Sequence, residues 1–152
     1  MPSTILSPSA VCLHAISPAV WDNTKRYGLP TSSTVRAAFF VSGDGGYDER
    51  FKRFGEQYPG IDLAILENGQ YDEGWRYIHT LPRELPTVIS ELGARRVLTY
   101  HNSKYALANH SWTEPLDSIY ANAQGKPWQL LTPRIGEQVK LNERQTFSKW
   151  WR

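Results

Sequence analysis

Apolar runs of strand length alternating with stretches of helical periodicity predict an α/β fold for this 152-residue chain. Three observations carry the prediction. The runs "VRAAFFVS", "IDLAIL" and "RRVLTYH" are too short for helices, and their apolar residues are consecutive, as in strands covered on both faces. Between them, "YDERFKRFGEQY" and "LPRELPTVISELGARR" place apolar residues at helical spacing with charges between. The helical stretches also close on glycine, at Gly60, Gly93 and Gly125, where a helix end favours a left-handed residue.

In order along the chain, residues 1–34 are expected to form a loosely ordered N-terminal segment and residues 35–152 the folded domain. The first ten residues are rich in Ser and Pro. "AVCLH" is a short apolar run ending in His14, and Pro18, Pro30 and a Ser/Thr cluster then read as loop. Val35 to Ser42 is a strand. Phe51, Phe54 and Tyr58 give 47–58 one apolar helical face, stopped by Pro59-Gly60. Leu63 to Leu66 is the buried part of the next strand, within 61–71. A helix starts at Pro82 or Pro86, since proline suits a first turn, and ends at Gly93. The strand 95–101 finishes in His101, and the helix 113–125 is capped by Thr113. "WQLLTP" and "EQVKL" are expected to pair as two short strands about the turn at Pro133 to Gly136.

Composition excludes several classes. The 17 basic residues are scattered among 15 acidic ones for a net charge of +2, so no basic stripe invites nucleic acid. No apolar run approaches the roughly 20 residues of a membrane span. A single cysteine, Cys12, forms no internal disulfide. No positive residue precedes Lys25 and prolines interrupt the apolar pieces, which makes a poor signal peptide; the expected compartment is the cytoplasm. The aromatics of "GWRY" and of the tail "FSKWWR" suit either base stacking or packing of the C-terminus, and without a basic groove packing is the favoured reading.

Three apolar runs end in a group that binds metals: AVCL-His14, FFVSG-Asp44 and VLTY-His101. In α/β sheets ligands collect at the carboxyl ends of strands, where residues remote in sequence converge. Gly43 removes bulk beside the Asp44 carboxylate, while Gly45 and Gly46 are expected to take positive φ and keep the site open. Imidazole with carboxylate suits zinc or a related ion. Each residue also has a plain structural role open to it. Asp44 fits an Asx-turn or a helix cap, and a strand-end histidine is often a hydrogen-bonded surface residue.

"FFVSGDGGYDERF", "IDLAILENGQYDEGWRYIHTLP", "LGARRVLTYHNSKYALANHSWTEPL" and "LLTPRIGEQV", in this order, resemble the C-terminal half of the metallo-β-lactamase-fold hydrolases. The branch they resemble contains the lactone hydrolase UlaG and N-acyl-phosphatidylethanolamine phospholipase D type enzymes. The resemblance covers about residues 35–148 and, more weakly, 10–25. It implies half of an αββα sandwich, a mixed sheet with flanking helices. It further implies that Asp44 bridges two metal ions, that His101 binds one of them, and that His79 of "YIHTLP" contacts substrate or transfers a proton. His14, eight residues before Asp22 of "WDNTK", takes the place of a further metal histidine.

The His-x-His-x-Asp-His signature of that family's first half is absent from these 152 residues. A catalytic zinc ordinarily has three protein ligands and a water. The chain alone is therefore expected to hold zinc weakly or not at all. An uncovered sheet face calls for a companion first-half chain or a second copy. Two functions follow: a zinc-dependent hydrolase half acting on a small molecule of unidentified class, or a catalytically silent assembly or truncated protein that keeps the half-fold.

Overall fold

The computed structural model describes residues 37–105, 107–141 and 143–152, together with the backbone of the strand Ala10–His14. Five strands, β1 (Ala10–His14), β2 (Ala37–Val41), β3 (Leu63–Glu67), β4 (Arg96–Tyr100) and β5 (Gln129–Leu131), form one sheet in sequential order. Helices α1 (Arg50–Gln57), α2 (Leu85–Leu92) and α3 (Glu114–Asn122) fill the crossovers after β2, β3 and β4, and a short 3₁₀ turn spans Glu73–Trp75. Every neighbouring pair of strands is parallel. The α/β architecture is as expected, but among the described residues the sheet is parallel and not mixed: "EQVKL" forms no strand, and β5 is parallel to β4. The rest of residues 1–34 lies outside the described residues.

Sequential parallel strands joined by right-handed crossovers put their helices on one side. The register bears this out. Phe40, Ala64, Val97 and Leu130 lie opposite one another across four strands. The first three belong to the cluster formed with Phe51 of α1, Val88, Ile89 and Leu92 of α2, and Ile119 of α3, and Leu130 packs against it. The neighbouring row, Val41, Ile65, Leu98 and Leu131, faces the other way. Of these, Leu131 is buried and the other three are half-buried.

The helix ends follow local chemistry. Pro86 sits in the first turn of α2, and Gly93 ends it at φ 62°, the left-handed geometry that glycine adopts freely. Helix α1 starts at Glu49, and Asp48 accepts from the backbone N–H of Arg50 at 2.8 Å. The aspartate serving this helix start is therefore Asp48 and not Asp44, which lies in the preceding loop. The C-terminal aromatics pack: Trp151 is buried against Tyr120 and donates to Asp117 at 3.0 Å, and Trp150 donates to the Thr132 carbonyl. No described helix is long and apolar enough to cross a membrane.

Candidate metal centre

In a parallel sheet of this order every strand delivers its carboxyl end to one edge. Asp44 follows β2, His79 lies in the loop after β3, and His101 directly follows β4. One ligand atom from each of Asp44, His79 and His101 lies within 4.8 Å of the others. Asp44 and His101 are exposed and His79 is partly buried, so the cluster opens to solvent. The rings of His79 and His101 stack with centroids 5.3 Å apart. The convergence of Asp44 with His101 expected from the strand ends is present, and His79 joins them. Pairing of His14 with Val41 brings the end of β1 beside the end of β2, but the His14 side chain lies outside the described residues.

Two loops hold Asp44 and His79 together. The Ser42 hydroxyl donates to the Gly43 carbonyl and accepts from the backbone N–H of Glu67, tying β2 to β3. Thr80 donates through its hydroxyl to the Gly45 carbonyl at 2.9 Å, and Gly46 N–H donates to the Tyr77 carbonyl. The glycines act differently from expectation. Positive φ falls at Gly43, 60°, and not at Gly45 or Gly46. Gly46 is instead a close approach, because a Cβ there would stand 2.0 Å from the Arg76 carbonyl oxygen, while Gly45 faces open space. Glycine is needed at 46 for room between two backbones.

His101 is held in the left-handed region at φ 67°, which a histidine adopts at a cost of roughly 1 kcal/mol. The segment "ENGQ" after β3 supports it. Buried Asn68 donates to the Pro115 carbonyl at 2.9 Å, and its own carbonyl accepts from Asn102. Buried Gln70 donates to the Tyr105 carbonyl at 2.8 Å and accepts from Leu107 N–H at 2.7 Å. Gly69 packs so tightly that a Cβ would meet the His101 carbonyl oxygen at 1.7 Å.

Beneath the rim lies Glu67, 1% exposed. Burial pushes its carboxyl up to about 8, with the Asp44 charge adding to the shift against a hydrogen bond from Thr80 N–H. Burial, then the neighbouring His101, holds the His79 imidazole below the usual histidine range. Glu67, Asn68 and Gln70 were not singled out from sequence. The sequence shows polar residues around a glycine at the end of an apolar strand, as at Asp44, but nothing in that pattern reveals their burial.

Comparison with known proteins gives partial likenesses. No family model matches the chain. Over 83 residues it is 42% identical to outer membrane protein RomA of Klebsiella pneumoniae, covering 49% of this chain and 63% of that protein. An uncharacterized protein of Mycobacterium tuberculosis is 28% identical over 116 residues, covering 74% of this chain and 31% of the relative. The mitochondrial N-acyl-phosphatidylethanolamine-hydrolyzing phospholipase D of Saccharomyces cerevisiae is 33% identical over 84 residues, 53% of this chain and 18% of the enzyme. The matches thus span less than two thirds of each relative's length. The last is a partial likeness to a hydrolase from the branch that the sequence motifs resemble.

Proposed function

We propose that this chain supplies one side of a zinc-dependent hydrolytic centre on the metallo-β-lactamase scaffold. The observation that carries the reading is the meeting of Asp44, His79 and His101, from three separate loops, within 4.8 Å at the carboxyl edge of the sheet. Carboxylate and imidazole donors at that spacing fit a zinc ion. The chemistry such an ion supplies is polarisation of a carbonyl or phosphoryl oxygen and a nucleophile available near neutral pH. Asp44 and His101 hold the metal, with His14 as a further ligand. His79, held below the usual histidine range by burial, would hold metal as the neutral imidazole or, once protonated, deliver a proton to the leaving group. The half-buried row of Val41, Ile65 and Leu98 is the face on which a second layer of an αββα sandwich would pack, supplied by a companion first-half chain or a second copy.

The alternative reading is a catalytically silent assembly or truncated protein that keeps the half-fold. Metal content separates the two. The sequence alone counts too few ligands for tight binding, but His79 beside Asp44 and His101 makes three donors. Protein purified without chelator and measured by elemental analysis should therefore carry about one zinc per chain, and Asp44→Ala should remove it while circular dichroism stays unchanged. Metal-free wild-type protein with an intact fold would support the silent reading.

A further inference from the structure

Glu67 ends β3 in an unusual state for a carboxyl group. It is 1% exposed and fixed on two sides: its backbone N–H donates to Ser42 Oγ at 3.0 Å, and Oε1 accepts from Thr80 N–H. Its second oxygen, Oε2, is buried and has no hydrogen-bond partner among the described residues. The Nδ1 atom of His79 is buried and unpartnered in the same sense. These two atoms face each other at 3.4 Å. Buried polar atoms are almost always satisfied, and a shift of a few tenths of an ångström turns this approach into a hydrogen bond. Oε1 already serves the Thr80 backbone, so a purely structural role leaves Oε2 unexplained.

We propose that Glu67 is a positioning residue for His79: its Oε2 engages Nδ1, which fixes the ring and leaves Nε2 as the nitrogen presented to the Asp44 and His101 rim. An imidazole has two nitrogens on different edges, and the partner of one decides what the other can do. The loop carrying His79 is long and its ring is only partly buried, so packing alone does not choose between the edges. Glu67 makes the choice from below. The Thr80 N–H, next to His79 in sequence, locks the carboxyl in the orientation that does so.

Only the zinc arm of the test rests on the proposed hydrolytic centre. In metal-free protein, histidine-selective ¹⁵N spectra should show His79 in a single tautomer. Glu67→Met should lose that pattern and average the two ring nitrogens, with His101 and His110 unmoved. Glu67→Gln keeps the shape, presents an N–H to Nδ1, and should pin the ring proton on Nε2. It also decides the matter where Glu67→Met does not fold. Unchanged His79 nitrogens in Glu67→Met, or averaged ones in Glu67→Gln, overturn the proposal. Zinc chloride added to wild type should then shift Nε2 of His79 and not Nδ1, whereas a shift confined to Nδ1 overturns the assignment. Absence of any zinc binding sinks the hydrolytic reading instead, and the metal-free spectra alone decide the role of Glu67.

Discussion

Replacing Glu67 by Gln should change how the stability of the metal-free protein depends on pH. Burial raises the folded-state carboxyl to about 8 from the ordinary 4.5. Between those values the folded chain keeps a proton that the unfolded chain releases. Stability from this group is therefore complete below 4.5, falls as pH rises, and is gone above about 8. The slope approaches ~1.4 kcal/mol per pH unit, and no solvent screening reduces it because the side chain is 1% exposed. His79 works in the opposite sense. Its folded value is lowered by burial, so its contribution is present above the ordinary 6.5 and is lost as pH falls below it. The interval from 6.5 to 8 isolates Glu67, and across it the wild type should lose about 2 kcal/mol relative to Glu67→Gln. Urea unfolding in excess chelator at three pH values in that interval reads this as a midpoint falling by about 1 M in wild type but not in the variant. Parallel pH dependence in the two proteins would refute the argument, because the buried carboxyl would then ionise in the folded state as easily as in the unfolded one.

Two further outcomes test the packing that aims the site. Gly69→Ala, whose Cβ would meet the His101 carbonyl oxygen at 1.7 Å, should cost about 1–3 kcal/mol and displace the His101 resonances. Gly93→Ala has open space around it and only the left-handed φ of 62° to resist, so it should cost about 1 kcal/mol and leave those resonances in place. Phe40→Ala removes a fully buried ring that meets Phe51 and Phe54 edge-on at 6.1 and 5.6 Å, and should cost about 3–5 kcal/mol in urea unfolding, with the His101 resonances in place wherever the protein stays folded.

What was legible in the sequence was whatever local chemistry decides. The runs at Ala37–Val41, Leu63–Glu67 and Arg96–Tyr100 announced themselves by consecutive apolar residues, and Gly93 marked a helix end by its left-handed φ. Asp44 and His101 could be paired because a strand end is a local signal and a parallel sheet sends all such ends to one edge. Contacts between loops left no such signal. Gly46 looks from sequence like a residue of free φ, and only the Arg76 carbonyl packed against it shows that it is there for clearance. "EQVKL" alternates like a strand, yet pairing depends on a partner edge, and β5 already lies parallel to β4 on its only described neighbour. Glu67 was hidden for a related reason: a glutamate after an apolar run reads as the start of a surface loop until the loops folding over it remove the solvent.

The same network explains why the candidate site should be stiff although it is built on loops. Each donor loop is tied to a neighbour by buried or half-buried polar bonds: Ser42 to Glu67, Thr80 to Gly45, Gln70 to Tyr105 and Leu107. Such bonds contribute about 1 kcal/mol each while made, but leaving one buried partner unsatisfied costs more. Movement of any one loop therefore strands groups on the next. Asp44, His79 and His101 are accordingly held in one arrangement by contacts that do not touch the cluster's open side. Glu67 is the point where this scaffold and the proposed chemistry meet, since one of its oxygens completes the network at Thr80 and the other faces the His79 ring. A buried acid placed only for stability would be better replaced by glutamine. A carboxyl under a histidine at the rim, with one oxygen left to face the ring, is what a positioning role requires.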